Sequence, residues 1–248
     1  MLESDYRLWL VHPITGNEFR FPSLPGSSRK EISSQCRAVL VYSHTLSGYQ
    51  VVAINRDTKQ ILNGGPYDAD WRCLTFRFLP CEFADLAFFK GAIYILATNC
   101  LIYQVLVQRC GIIFFPMEVK YAPSVSGSNL QLVSSNERLF MVDCYSELRL
   151  ALVYEVDFDS MAWVRMLDLG DEAIFVSDVK SSFVANPTKW GARGNCVYVL
   201  QKKDNLCRIC SLDNRVIGGV RILYGERATT KLPFIWNLPK LSYIKDDI

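Results

Sequence analysis

The chain has 248 residues, of which 50% are hydrophobic and 21% charged, and its formal net charge is +2. These values are typical of a globular protein with a sizeable core. The Lys and Arg residues form only isolated pairs, such as Arg29-Lys30, rather than the basic face of a nucleic-acid binder. The N-terminus lacks a signal-peptide pattern, and the apolar run at 86–96 is too short to cross a bilayer. We therefore expect neither a nucleic-acid nor a membrane partner.

Nine cysteines are spread along the chain, and several lie inside apolar runs. Their odd number and the absence of a secretion signal argue against a disulfide framework. A free cysteine behaves as a small buried hydrophobe. The pattern predicts core thiols in a cytoplasmic or nuclear protein; the nine are Cys36, Cys73, Cys81, Cys100, Cys110, Cys144, Cys196, Cys207 and Cys210.

Short runs rich in Val, Ile, Tyr and Phe predict strands along most of the chain, with little helix. Turn sequences such as Asn63-Gly64-Gly65-Pro66, Thr15-Gly16-Asn17, Lys90-Gly91 and Asn136-Glu137 separate them. The predicted strands cover residues 7–11, 18–21, 38–42, 49–54, 71–78, 86–89, 92–97, 101–107, 112–119, 138–143, 150–157, 162–167, 196–200 and 206–212.

Aromatic residues recur in these strands at a period of roughly 50 residues, close to that of propeller blades. One series opens each set of strands (Tyr42, Tyr94, Phe140, Tyr198), and another lies in the strand that closes it (Phe19, Trp71, Phe114, Trp163). A single four-stranded blade cannot bury both of its apolar faces, so blades must stack. This predicts an all-β, propeller-like ring of about five blades, or six if some are thin, in one domain over 1–248. A pair of β-sandwiches is the alternative.

The first two strands have no preceding partners, and they could complete a blade with C-terminal strands near 220–223 and 234–236. Such a closure would fix both ends of the chain in one sheet.

The segment from Trp163 to Tyr198 carries a pattern of specific residues in a fixed order: Trp163-Val164, Leu169-Gly170-Asp171, Phe175, Ser182-Phe183 and Gly194-Asn195-Cys196-Val197-Tyr198. In this it resembles the plant F-box-associated β-propeller family of the KIB type. The segment at 11–16 is similar to the opening of that family, with His12 in place of its usual Asn, and 88–94 is similar to its middle blade. The resemblance marks Trp163, Gly170, Asp171, Phe175, Phe183, Gly194, Asn195 and Tyr198 as structural family residues.

The resemblance implies a non-enzymatic protein-recognition propeller, like the part of a plant F-box protein that binds ubiquitination targets. It also implies an indirect link to a cullin-based ligase, whose target we leave open. Family members commonly carry an F-box, but only residues 1–6 precede the first predicted strand, so we expect no F-box within this chain. An enzyme using the propeller mouth, such as a carbohydrate hydrolase, and a degenerate F-box protein fragment are the alternatives.

Other candidate sites have simpler structural interpretations. In the C-x-x-C of Cys207 and Cys210, residues three apart on a strand point to opposite faces, which disfavours metal or redox use. His12 and His44 are interpreted as loop residues. No catalytic residue, cofactor or metal is expected.

Three further candidates are also interpreted as structural. Asp157, Asp159 and Asp171 suit turns better than the paired carboxylates of a glycosidase. Trp71 and Trp163 are interpreted as packing anchors of their blades rather than ligand-stacking platforms. The glycine loop at 191–194 leads into a strand, whereas a phosphate-binding loop would lead into a helix.

Overall fold

The computed structural model describes most of the chain in segments. The described residues are 7–11, 18–23, 36–43, 48–56, 59–76, 81–108, 111–125, 129–135, 137–145, 150–177, 181–201, 206–212 and 215–221.

Nineteen strands and one 3-10 helix, Pro187–Trp190, are present in these segments. The strands are β1 (Arg7–Val11), β2 (Glu18–Ser23), β3 (Cys36–Ser43), β4 (Gly48–Asn55), β5 (Gln60–Gly64), β6 (Arg72–Thr75), β7 (Phe83–Phe89), β8 (Ala92–Ala97), β9 (Ile102–Gln108), β10 (Gly111–Met117), β11 (Leu130–Ser134), β12 (Leu139–Tyr145), β13 (Leu150–Asp157), β14 (Ala162–Arg165), β15 (Glu172–Ser177), β16 (Ser181–Ala185), β17 (Cys196–Gln201), β18 (Leu206–Ser211) and β19 (Arg215–Arg221). Across the described ranges, no helix has the length and apolar character needed to cross a bilayer.

The strands form four blade-like sheets and one two-stranded sheet. The first, second and third sheets are four-stranded and follow chain order: β3–β6, β7–β10 and β11–β14. The fourth sheet has five strands in the order β16-β15-β17-β18-β19, and among the described strands β1 pairs only with β2. Neighbouring strands pair antiparallel in the first and third sheets, whereas β15 and β17 of the fourth sheet run parallel.

The chain divides into two compact units. Of the described residues, the first unit takes those up to Ile95 together with Tyr103–Pro116, and the second takes Leu96–Ile102 and those from Met117 onward. In the first unit, β3 and β4 lie against β7. The β1–β2 hairpin packs on the first sheet, where Phe21 joins Val51, Leu62 and Trp71 in one buried cluster.

In the second unit, the third and fourth sheets bury a shared apolar core. The strand β11 lies against β16, and β13 lies against β18. The core combines side chains from both sheets, because neither sheet could bury this face alone. Its buried members are Val133, Phe140, Val142, Cys144, Ala151, Val153, Leu169, Ile174, Val176, Val197, Val199, Cys210 and Leu212.

The repeat is more regular than the aromatic spacing suggested. The strands β3, β7 and β11 begin at Cys36, Phe83 and Leu130, the same step each time (83 − 36 = 47 and 130 − 83 = 47). The closing series is in phase: Phe19, Trp71, Phe114 and Trp163 lie in, or directly before, the last strand of their sheets.

The other aromatic series was expected to lie in the first strand of each sheet, and this expectation is wrong. Tyr42 lies in the first strand of its sheet, but Tyr94 and Phe140 lie in second strands. The prediction missed β5, β11, β15 and β16, because their short segments mix apolar with small or polar residues. The described residues hold four blade-like sheets, so the expectation of five or six is wrong. Dividing the chain length by a blade period counted the connectors between the sheets, and the separate β1–β2 pair, as blade.

Two further expectations need correction. Asn63 and Gly64 belong to β5 and are buried, so the predicted tight turn at 63–66 begins only after them. Six cysteines are buried as expected, but Cys73 is exposed and Cys36 half-buried. The predicted C-terminal strand at 234–236, the turn at 15–17 and Cys110 lie outside the described residues.

Candidate functional site

The turn that enters the fourth sheet brings four of the eight predicted family residues together. The side-chain oxygen Oδ1 of Asn195 accepts a hydrogen bond from the Leu169 N–H (2.9 Å). The Asn195 N–H donates in return to the Glu172 carbonyl (2.8 Å). These bonds tie the turn before β15 to the start of β17. Because the two strands are parallel neighbours, the turn fixes the register between them.

Backbone conformation and close packing explain why positions 170, 194 and 195 are glycine or asparagine. Gly170 has a φ of 60°, which glycine adopts without strain. Asn195 has a φ of 54°, and asparagine is among the few other residues that tolerate it. A Cβ on Gly194 would lie 3.1 Å from the Gly170 carbonyl oxygen and 3.2 Å from the Asp171 Cα. The close approach of the Gly170-Asp171 turn therefore favours a residue without a side chain at 194, and the positive φ favours asparagine or glycine at 195.

The aromatic family residues stack in pairs. Phe175 and Tyr198 lie on neighbouring strands with ring centroids 4.5 Å apart and nearly parallel. The Tyr198 hydroxyl accepts a hydrogen bond from the Arg193 N–H (2.6 Å), and burial raises the pKa of Tyr198. Phe183 stacks on Phe140 of the third sheet at 5.5 Å. These contacts join the strands within the fourth sheet and join that sheet to the third.

Trp163 lies apart from the other family residues and fastens two connections of the second unit. Its indole N–H donates to the Cys100 carbonyl (3.2 Å), in the turn between β8 and β9. Its backbone N–H donates to the Lys120 carbonyl (3.0 Å), in the connector that follows β10. The Cys100 thiol lies 3.7 Å from the Pro123 carbonyl of the same connector. Trp163 is buried, as expected of a packing anchor.

Trp71 occupies the matching position in the first unit. Its indole N–H donates to the Pro22 carbonyl (2.9 Å) of β2, and its ring stacks on Phe21. A Cβ on Gly64 would lie 2.9 Å from the ring, so glycine makes room for it. Both tryptophans are therefore packing anchors, and each also donates a hydrogen bond to an element that precedes its sheet.

The remaining candidates behave as structural residues where the structure describes them. Cys207 and Cys210 are buried in different clusters, one on each face of the fourth sheet. Burial raises the pKa of Cys207 to about 11, far from the reactive range of a catalytic thiol. His12 and His44 lie outside the described residues. The glycine loop at 191–194 leads into β17, as predicted.

The acidic candidates are engaged in local turns. Asp157 accepts hydrogen bonds from the Asp159 N–H (3.0 Å) and from the Ser160 hydroxyl (2.6 Å). The Ser160 hydroxyl in particular lowers the pKa of Asp157. Asp171 lies in the turn before β15, and the Asn186 N–H donates to its carbonyl. The described residues contain no group of three or more His, Cys, Asp or Glu side chains placed to hold a metal ion.

Sequence reasoning missed three polar links between neighbouring sheets. In the first unit, Arg37 of β3 lies 3.9 Å from the Asp85 carboxylate of β7, and both side chains are nearly buried. In the second unit, the Gln131 amide of β11 donates to the Ser177 carbonyl of β15 (2.9 Å). Each link joins the first strands of two consecutive sheets.

The third link is the Arg138 clamp, which we define as Arg138 with Glu155 and Glu172. The guanidinium lies 2.8 Å from the Glu155 carboxylate of the third sheet and 3.2 Å from that of Glu172 in the fourth. It also covers the Phe140 ring at 4.6 Å. The sequence separates these residues widely, so no local pattern could have indicated the pairing.

Among the described residues, two tyrosines on connecting segments are the most exposed of the large hydrophobic side chains, ahead of Leu167 at 68%. Tyr67 follows β5 and Tyr121 follows β10, and each is 80% exposed. Connecting segments on a rigid framework commonly carry binding residues, and tyrosine is enriched at interfaces. The sequence signal that could have found these two is an aromatic residue beside Pro or Ala in a segment without strand alternation.

Repeated four-stranded sheets, such as the third, which shares a buried core with the fourth, are typical of β-propeller blades. The chain belongs to the KIB1-4 beta-propeller family, whose family model matches residues 1–221. This confirms the family resemblance and the propeller class, and it sets aside the sandwich alternative. A comparison with curated proteins found no match.

Proposed function

We propose that this propeller is a non-enzymatic protein-recognition module. Its family membership supplies the framework, and the side chains in the family pattern pack, cap turns or join sheets. The residues left for a partner are those on connectors, above all Tyr67 and Tyr121. A partner protein would dock by shape complementarity on a rigid framework and gain specificity from these connectors.

The single observation that carries the proposal is the use of the family residues. Asn195, Gly194 and Trp163 all hold one structural element against another. A set of residues that holds the framework together, with exposed side chains left on its connectors, suits a scaffold that binds a partner through those connectors.

In a finer form of the proposal, the propeller binds targets for a cullin-based ubiquitin ligase. The support for this form is the resemblance to the propellers of plant F-box proteins. The propeller would supply target binding, and an F-box module, in the same gene product or in another, would supply adaptor docking.

Affinity purification after chemical crosslinking in the native cells tests both forms. The tagged chain is compared with a double Tyr67→Ala, Tyr121→Ala variant, which removes the two most exposed aromatics of the described residues without touching the core. We expect a defined set of crosslinked proteins that weakens in the variant, together with ligase subunits.

Each failure has its own meaning. Recovery of partners without ligase subunits would refute the ubiquitin form alone. Recovery of no specific protein partner would refute the recognition module itself.

A further inference from the structure

We infer that residues 118–123, the connector that follows β10, form a strap that covers the outer edge of β14 and can open locally. When closed, the strap occupies an edge that could otherwise pair with an incoming strand. The opening is a property of the fold alone. Its use by an extended segment of a partner protein, pairing through its backbone, rests on the proposed function.

The strap pairs with β14 through one short parallel bridge, between Lys120 and Ala162. The Lys120 N–H donates to the Met161 carbonyl (2.8 Å), and the Trp163 N–H donates to the Lys120 carbonyl (3.0 Å). Because β14 is the last strand of the third sheet, these bonds use its outer edge. Two backbone bonds are few compared with the full ladder that joins β12 to β13.

The backbone of Tyr121 limits how tightly the strap can close. Its φ is 56°, in the left-handed region that a bulky residue seldom adopts. Cys100 and Met161 also have positive φ, but both lie at hairpin turns, where such values are common. Tyr121 lies in a connector, and its conformation turns the chain away from β14 after a single bridge.

Tyr121 gains little from packing in return, since its side chain is 80% exposed. Val164 and Leu167, in and just beyond β14, are also exposed, at 45% and 68%. A segment with few backbone bonds, a strained residue and exposed side chains belongs to the least stable part of a structure. The strap is therefore expected to open while the sheet beneath it stays folded.

The strap is fastened at its far end by the Cys100 thiol, which lies 3.7 Å from the Pro123 carbonyl. The Cys100 carbonyl in turn accepts a hydrogen bond from the indole N–H of Trp163. Trp163 and Cys100 thus hold the strap at its Pro123 end, whereas the strained backbone of Tyr121 favours its opening. Opening would free the outward backbone groups at Met161 and Trp163 for a strand arriving from a partner.

Amide hydrogen exchange at single-residue resolution tests the strap on the isolated chain. The amides of Lys120 and Trp163 should exchange at least about a hundredfold faster than those in the centre of β12, because local opening exposes them without unfolding the sheet. Equal protection of the strap amides and the β12 amides would overturn the inference and make 118–123 a permanent fifth strand.

Two substitutions at Tyr121 then change the backbone strain with little loss of packing, because the side chain is 80% exposed. Tyr121→Asn suits a positive φ and should slow exchange of both amides several-fold, whereas Tyr121→Val opposes it and should speed exchange about tenfold. Tyr67→Val is the matched control, equally exposed at its starting residue and without a positive φ, and should leave both amides unchanged. Identical exchange in the Asn and Val variants would refute the role of Tyr121.

Partner binding distinguishes the strap from the proposed function. Both substitutions remove the Tyr121 ring, so the two variants are compared with each other: with a partner recovered by crosslinking, Tyr121→Val should bind it more tightly than Tyr121→Asn. If the two variants bind equally while the exchange results hold, the strap opens but the partner does not use it. If no partner exists, the recognition proposal fails and the strap result still stands.

Discussion

Trp71 in the first unit and Trp163 in the second lie at the same phase of the repeat, yet they stabilise their surroundings differently. Trp71 acts through its ring, which stacks on Phe21, covers Gly64 and donates to the Pro22 carbonyl. Trp163 acts through its ring and its backbone together, and so fastens both a hairpin turn and a connector. The comparison shows that a repeated anchor can keep its packing role while taking on a second task at a sheet edge.

Replacing each tryptophan by alanine should produce the largest effects. Either change removes a buried indole and leaves a cavity, so each should cost about 3–5 kcal/mol of unfolding free energy. Chemical denaturation followed by circular dichroism measures the loss. Only Trp163→Ala should also speed amide exchange in the connector 118–123.

The phenylalanine variants sharpen the same comparison. Trp71→Phe and Trp163→Phe retain much of the packing but leave the Pro22 or Cys100 carbonyl without its donor, at about 1–3 kcal/mol each. If both phenylalanine variants were as stable as the wild type, the indole hydrogen bonds would contribute nothing measurable.

The polar links between sheets should contribute to the free energy of unfolding in proportion to their burial. Arg37→Met removes the Arg37 guanidinium from the nearly buried Asp85 carboxylate, which should cost about 2–4 kcal/mol. Arg138→Met removes a cation from carboxylates that are 24% and 32% exposed, and should cost about 1 kcal/mol or less. Denaturation at low and high salt measures both changes.

Of the two arginine links, the Arg138 clamp should be the more sensitive to salt, because its charges are more accessible to solvent. A larger loss for Arg138→Met than for Arg37→Met would contradict the assigned importance of burial.

The two close glycine contacts should give intermediate to small effects. A Cβ at Gly64 meets the ring of Trp71 at 2.9 Å, and one at Gly194 meets backbone atoms from 3.1 Å. Gly64→Ala and Gly194→Ala should each cost about 1–3 kcal/mol through overpacking. Thermal unfolding of each variant provides the measurement. Gly48→Ser is a useful control for positive φ without a clash, since open space surrounds Gly48.

The thiols should give the smallest effect at neutral pH and a distinct one in alkali. Burial is the main cause that raises the pKa of Cys100 and of Cys207 from 9.0 to about 11. Their protonated forms stabilise the fold below about pH 9, and that contribution is lost as the pH rises through about 11. The melting temperature should therefore fall over this window, and less steeply in a Cys207→Ala variant than in the wild type.

Alkylation followed by mass spectrometry compares the thiols of the two units directly. At pH 8, iodoacetamide should modify the exposed Cys73 of the first unit well before the buried Cys100 and Cys207 of the second. Modification of Cys207 at the rate of Cys73 would show that the fourth sheet is far more open than its burial implies.

The sequence predicted well the features that depend on local composition. The bounds of β1, β8 and β13 agree with the predicted runs, because apolar residues, with Val, Ile and aromatics among them, dominate each segment. The last-strand phase of Trp71 and Trp163 was predictable for a similar reason: a large ring at a fixed point of each repeat is a packing requirement. Family resemblance added the residues around Gly194.

Other features depend on contacts that no local pattern shows. Asn63 and Gly64 have turn propensity, but the ring of Trp71 and the hydrogen bond from Asn63 to Gln50 hold them inside β5. The Arg138 clamp joins residues on three elements, and Tyr121 owes its significance to a backbone angle. Tertiary context decided each of these cases.

The parallel pairing of β15 with β17 has a consequence for how the molecule reaches its native state. In the third and fourth sheets, strands that form hairpins can pair outward from a short turn. The strand β17 is parallel to β15, so it can pair only after the chain between Ser177 and Cys196 has returned to the start of β15. Such closure carries an entropy cost before any ladder bond repays it. The Gly194-Asn195 pair completes that return path, so its replacement should slow folding more than it speeds unfolding.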